Sequence, residues 1–230
     1  MEKKIPVISS ELRRHYVAMP EEIRAASGII IWGKRIKSLV FSTDLAVIRN
    51  CNADAVLSVY PFTPQQVIAD AIIGASYIPV FCGVGGGITG GARVIALAQD
   101  AEAEGAMGVV VNAPISPEII RQMRKVIDIP IVTTVVNETV PIGERIEAGV
   151  NILNVSAAAD TPRLVENIRK QFPDIPIIAT GGPTPESVKR TIAAGANAIS
   201  VTPPTTAQLF KQVMAKYREQ EWSTTGGAME

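Results

Sequence analysis

The chain has 230 residues, 47% of them hydrophobic, and its 22 basic and 22 acidic side chains leave no formal net charge. This is the size of one large α/β domain with a substantial core, and the charge balance gives no basis for a nucleic-acid-binding or membrane-binding surface. No apolar run approaches ~18 residues, so no membrane-spanning helix is expected. The two cysteines, Cys51 and Cys82, make no disulfide framework and suit a reducing compartment. Met1-Glu-Lys-Lys4 lacks the apolar stretch of a signal peptide, so a cytoplasmic protein is expected.

In chain order, residues 1–35 read as an N-terminal extension. It holds a predicted helix over Pro20–Ala26 and leads into a short hairpin within Gly28–Phe41, turning at Gly33-Lys34. Eight strand–helix units then fill residues 36–220. The predicted strands are 36–43, 53–60, 78–83, 108–112, 129–136, 151–156, 175–180 and 197–202. Most are continuous apolar runs, as in strands buried on both faces. Two phrases recur. Asp128-Ile-Pro-Ile-Val132 and Asp174-Ile-Pro-Ile-Ile178 place proline at a strand start, where no ladder donor is lost. Gly105, Gly149 and Gly195 each end a helical pattern just before a strand, where a left-handed residue closes a helix. Asp160-Thr-Pro162 and Thr184-Pro-Glu186 read as helix starts. Strands and helices alternating eight times predict an α/β fold, a closed (β/α)8 TIM barrel, with an open doubly wound sheet as the alternative. Residues 221–230, including Ser223-Thr-Thr-Gly-Gly-Ala228, are expected to be a disordered tail.

Function in such barrels sits at the C-terminal strand ends. There the sequence places Ser42, Thr43 and Asp44, then Ser58 and Tyr60, Cys82, Asn112, Thr133, Asn137, Glu138, Asn154, Ser156, Thr180 and Thr202. Ionisable groups are scarce in this set. Asp44 and Glu138 are its carboxylates and no lysine joins them. The single histidine, His15, lies in the extension, which argues against a Ser/His/Asp triad and a histidine metal site. No metal is therefore expected.

Asp44 reads either as an acid/base or as a helix N-cap. Glu138 is the other candidate acid/base or a solvated loop residue, and the Asn112 amide can orient a substrate carbonyl or hydroxyl. Cys82 reads as a buried small hydrophobe or a nucleophile. Gly181-Gly182, after Thr180, reads as an anion-binding turn or as a tight left-handed turn. The segment Gly83–Gly91 holds six glycines in nine residues, with Arg93 in the next helical turn. Through Gly85, Gly86 and Arg93 it reads as an anion cradle, or as a lid.

The stretch Ile175–Thr206, with Thr180-Gly-Gly182 and Ala196-Asn-Ala-Ile-Ser-Val-Thr202, resembles the phosphate-binding half of the ribulose-phosphate-binding and FMN-linked barrel superfamilies. The resemblance implies phosphate contacts from Gly181, Gly182 and the loop after Thr202. The departures from those families are specific. The sixth strand, Asn151–Ser156, has no Schiff-base lysine. Arg93 is the one stand-in for a flavin-facing cation, and Pro203-Pro204 replaces the glycine often found after the last strand.

Three functions follow. The first is a metal-independent lyase, isomerase or hydrolase acting on a small phosphorylated or carboxylated metabolite, with the anion on the loops after strands 7, 8 and 3. The second is an FMN-dependent oxidoreductase. The third is a non-catalytic ligand-binding or regulatory barrel. The small anionic metabolite is the expected partner in the first reading. A homo-oligomer is compatible with Tyr16, Met19 and Trp32 lying outside the eight-unit core.

Overall fold

The computed structural model describes residues 6–8 and 17–225, so His15 and Tyr16 lie outside the described residues. The helix predicted over Pro20–Ala26 is a 3-10 helix, Glu21–Ala25. A hairpin follows, β1 (Ile29–Ile31) paired with β2 (Lys34–Ile36), turning at Trp32-Gly33. Eight parallel strands then close into a barrel: β3 (Ser38–Phe41), β4 (Ala55–Ser58), β5 (Val80–Gly85), β6 (Gly108–Val111), β7 (Ile131–Val135), β8 (Ile152–Val155), β9 (Ile177–Thr180) and β10 (Ala198–Val201). Strand β10 pairs with β3 and completes the ring. The chain is a TIM barrel, and the alternative of an open sheet is set aside.

The connecting helices are α1 (Leu45–Arg49), α2 (Gln66–Ala75), α3 (Ala92–Ala103), α4 (Pro117–Arg124), α5 (Ile142–Glu147), α6 (Thr161–Gln171), α7 (Pro185–Ala193) and α8 (Thr206–Thr225). Their starts follow local chemistry. Ser116 caps α4 with proline next in line, and Thr184 and Ser187 form a reciprocal capping box on α7. At α6 the expectation was only partly met. A 3-10 turn, Ala158–Asp160, precedes the helix and the Asp160 side chain does not cap it. Helix α8 runs past residue 220 to Thr225, and residues 226–230 lie outside the described residues.

Strand parity decides what faces the site. One buried cluster contains Leu39, Leu57, Phe81, Val110, Val132, Ile152 and Ile178, the residues that point into the barrel. Ile31 of the hairpin and Met107 belong to the same cluster and close the N-terminal end. A second cluster, with Val40, Val56, Val109, Ile131, Leu153 and Ile177, packs the outer strand faces against the helices. Met19 and Ile23 join this outer cluster, so part of the extension is core. Trp32 stays exposed.

The N-terminal strand ends are tied by side chains. Asn151 Oδ1 accepts from Ile131 N–H at 2.9 Å, and Asn197 Oδ1 accepts from Ile177 N–H at 2.9 Å. The repeated Pro-Ile strand starts thus find the acceptor two residues after Gly149 and Gly195. These contacts serve stability at the end remote from the mouth.

Candidate functional site

The alternation that buries Leu39, Val110, Val132, Ile152 and Ile178 brings the inward positions nearer the C-terminal end to Asn112, Thr134, Asn154, Ser156, Thr180, Ser200 and Thr202. From β6 to β10 the barrel interior therefore changes from hydrocarbon to amide and hydroxyl at its C-terminal end, while β3 and β4 bring Phe41 and Val59 there. Thr134 pairs with Asn154 across β7 and β8. Thr134 Oγ1 donates to Asn112 Oδ1 at 2.7 Å, and Asn154 Nδ2 donates to Thr134 Oγ1 at 3.3 Å. Thr180 Oγ1 donates to Ser156 Oγ at 3.1 Å. Thr133, placed at the mouth by the sequence, faces the other way. Its hydroxyl accepts from Arg145 of α5 at 2.9 Å. An unbroken run of β-branched residues carries no parity signal of its own, so the sequence does not single out Thr134 beside Thr133.

Arg145 is 3% exposed and also donates to Thr134 O at 3.2 Å. No carboxylate pairs with it among the described residues, and burial lowers its pKa from the ordinary value. It fixes the end of β7 from behind. No sequence signal separated it from any surface arginine on an outer helix.

A cleft of about 630 Å3 opens at the ends of β3, β4, β6 and β10. Among its lining residues are Asp44, Tyr60, Asn112, Thr202 and Thr205. A smaller pocket beside it is lined by Tyr60, Gly85, Gly86 and Asn112. Asp44 is the N-cap of α1, accepting from Ala46 N–H at 2.9 Å and Val47 N–H at 3.2 Å. Its second oxygen accepts a short hydrogen bond from Thr206 Oγ1. That hydroxyl, above all, holds the Asp44 carboxyl below the usual aspartate range; the two N–H donors add to the effect and partial burial opposes it. Asp44 is thus both cap and cleft carboxylate. The Tyr60 oxygen accepts from Gln65 N–H at 2.8 Å, which leaves its own hydrogen free to donate. The sequence marks Tyr60 only as a strand end, and this backbone contact sets it apart.

The other candidates lie elsewhere or are already engaged. Glu138 accepts from Arg163 at 2.9 Å and from Asn167 at 3.0 Å, both on α6, and does not line the cleft. Arg93 is exposed in the first turn of α3. The glycine-rich loop folds back on itself. Gly86 and Thr89 exchange backbone hydrogen bonds, Gly87 N–H reaches Pro114 O, and Thr89 is buried. Gly86, at φ 96°, lies so close to Asn112 that a Cβ would stand 2.0 Å from its carbonyl oxygen. A Cβ on Gly181 would meet Ile199 Cγ2 at 2.7 Å, so close strand–helix packing explains that glycine. Gly182 has φ 77°, and the α7 capping box beside it already takes up Thr184 N–H and Ser187 N–H. After β10, Pro203 and Pro204 offer no N–H, and Thr205 N–H goes to Gln208 Oε1 at 2.8 Å.

Cys82 is buried on the outer strand face and its thiol is pushed up to about 12, first by burial and then by the Asp70 charge, so it stays a thiol. Among the described residues no group of three or more His, Cys, Asp or Glu is placed to hold a metal ion. No described helix is long and apolar enough to cross a membrane.

No family model and no curated protein matches the chain by sequence. Solved structures do match by shape. A protein of Burkholderia cenocepacia J2315 classed as a phosphonomutase aligns at TM-score 0.63 with 16% identity, over 86% of this chain and 97% of its own. Phosphonopyruvate hydrolase aligns at TM-score 0.60 with 14% identity, over 92% and 90%. A 2,3-dimethylmalate lyase of the PEP mutase/isocitrate lyase superfamily aligns at TM-score 0.59 with 12% identity, over 86% and 86%. At such identities the likeness is one of fold: the chain is similar to TIM-barrel enzymes over most of its length.

Proposed function

We propose that this barrel is a lyase-type enzyme acting on a small carboxylated metabolite held at the C-terminal mouth. The observation that carries the reading is the polar floor of Asn112, Thr134 and Asn154, set beside a cleft that holds one ionised carboxylate, Asp44, and one free phenolic donor, Tyr60. Barrels of the same fold whose names specify phosphonopyruvate or 2,3-dimethylmalate lend support, since both are small carboxylates.

In this reading the substrate carboxylate meets neutral donors, the hydroxyls of Ser156 and Thr202, since the Thr180 hydrogen is already given to Ser156. Asp44 is the acid/base that faces the reacting part of the substrate. Tyr60 and Asn112 donate to the oxygen where negative charge builds as the C–C bond breaks. A phosphoryl group fits less well, because the prolines after β10 and the α7 capping box leave few free N–H donors there.

The test is product formation, followed by proton NMR, from a panel of hydroxy-dicarboxylates, 2-oxo acids and their phosphorylated analogues, for the wild-type protein and Asp44→Asn. Turnover of a carboxylate that Asp44→Asn abolishes is the expected result. Binding without turnover across the panel would make the chain a ligand-binding barrel. An FMN mass carried by the native protein would make it a flavin enzyme.

A further inference from the structure

We infer that the row Asn112–Thr134–Asn154 reads a substrate hydroxyl, so that the metabolite is a hydroxy acid rather than the matching keto acid. This rests on the carboxylate reading above and narrows it. The argument turns on one hydrogen. The Thr134 hydroxyl has a single proton to give, and two amides flank it. Asn112 Oδ1 takes the proton and Asn154 Nδ2 donates to the oxygen. The row then keeps N–H donors on both amides, at Asn112 Nδ2 and on the second hydrogen of Asn154 Nδ2, and one amide oxygen without a partner, Asn154 Oδ1. Turning both amides over exchanges the roles but again leaves one amide oxygen to be met by a donor.

The acceptor is the unusual part. Asn154 is 8% exposed, lies on the inward face of β8, and its Oδ1 has no protein partner among the described residues. Native proteins rarely leave such an atom unpaired, so a water, an ion or a ligand group is expected to meet it. The row is also braced. Arg145, itself buried and without a counter-ion, donates to Thr133 Oγ1 and Thr134 O and holds Thr134 in place. Asn112 is held by its backbone N–H to Gly85 O at 2.9 Å and by the close approach of Gly86. A ligand hydroxyl meets both free ends, accepting from one amide and donating to the other. A keto oxygen accepts only and leaves the Asn154 acceptor empty, and sites built to bond a hydroxyl reject analogues that lack it.

The experiment uses a pair of equal charge and length, 2-hydroxyglutarate and 2-oxoglutarate, titrated calorimetrically into the wild-type protein and Thr134→Val. The hydroxy acid is expected to bind at least about tenfold tighter to wild type, a difference of one unpaired buried acceptor. In Thr134→Val the preference falls to within about twofold, since nothing then orders the amides. Equal binding, or tighter binding of the keto acid, overturns the inference and leaves the carboxylate reading standing. If neither acid binds, the carboxylate reading is decided on the full panel of acids, and the row is judged by a ligand-free measurement. Asn154→Leu removes the orphan acceptor and is expected to raise the melting temperature by about 2–4 °C. A fall of more than about 4 °C, beyond what the lost Asn154 Nδ2–Thr134 bond accounts for, would show that Oδ1 is already paired in the free protein and would overturn the inference.

Discussion

Replacing Asp44 by Asn and by Ala separates its two roles. The carboxylate caps α1 through Ala46 and Val47 N–H and accepts from Thr206 at the start of α8. Alanine loses all three contacts. A lost N-cap costs about 1 kcal/mol and an orphaned hydroxyl about 1 more, so Asp44→Ala should lower stability by about 2 kcal/mol. For a chain of this length that is a fall of about 4–8 °C in melting temperature by calorimetry. Asparagine caps nearly as well as aspartate and can donate its amide to the Thr206 oxygen, so Asp44→Asn should lose less than about 1 kcal/mol. Its turnover should nevertheless fall by about 100-fold or more, the usual contribution of a general acid/base. Wild-type turnover in a folded Asp44→Asn variant would refute the catalytic role and leave a cap that happens to line a cleft.

The pH dependence supplies a second check. The folded pKa of Asp44 is lowered, chiefly by the Thr206 hydroxyl, so its ionised form stabilises the fold. That contribution is fully present above the unfolded carboxyl value of about 3.9 and is lost as pH falls through the lower folded value. The stability gap between wild type and Asp44→Asn should be flat from neutral pH to about pH 5 and close only below about pH 4. A gap that closes between pH 5 and 7 would contradict the hydrogen-bond geometry.

Gly181→Ala should destabilise by about 1–3 kcal/mol through its clash with Ile199 and Val188, equally with and without ligand. A variant as stable as wild type by chemical denaturation, but weaker in ligand binding, would restore the anion-turn reading. Gly86→Ala should be worse, because its Cβ meets rigid backbone at Asn112 rather than side chains, and soluble yield with circular dichroism will show whether the fold survives. Cys82 should resist iodoacetamide at pH 8 in the folded protein and react only on unfolding, as mass spectrometry of the modified peptide would show. Rapid labelling of the native protein would mean that the outer face of β5 opens.

Much of the barrel was legible because its cause is local and repeated. Apolar runs, prolines at strand starts and glycines at helix ends recur through the chain, and all eight predicted strands overlap the observed ones. Parity was not legible. In Val109-Val-Val-Asn112 and Ile131-Val-Thr-Thr-Val135 both faces are buried, so composition alone does not say which residues enter the barrel. Ring closure and pairing register decide it, and these are non-local. Asn112 and Asn154 were recognised because an amide at a strand end is conspicuous, whereas Thr134 beside Thr133 was not. Gly181 and Gly182 show the opposite difficulty. A diglycine after a penultimate strand has two physical causes, room for an anion and room for a neighbour, and these look identical in sequence. The 2.7 Å approach of Ile199 to the missing Cβ of Gly181 favours the second cause there. Among the described residues three buried side-chain atoms lack a partner, Asp70 Oδ1, Arg145 Nε and Asn154 Oδ1, and of these Asn154 Oδ1 is on the inward face, so the search for a substrate is better aimed at the β6–β8 floor than at the turn after β9.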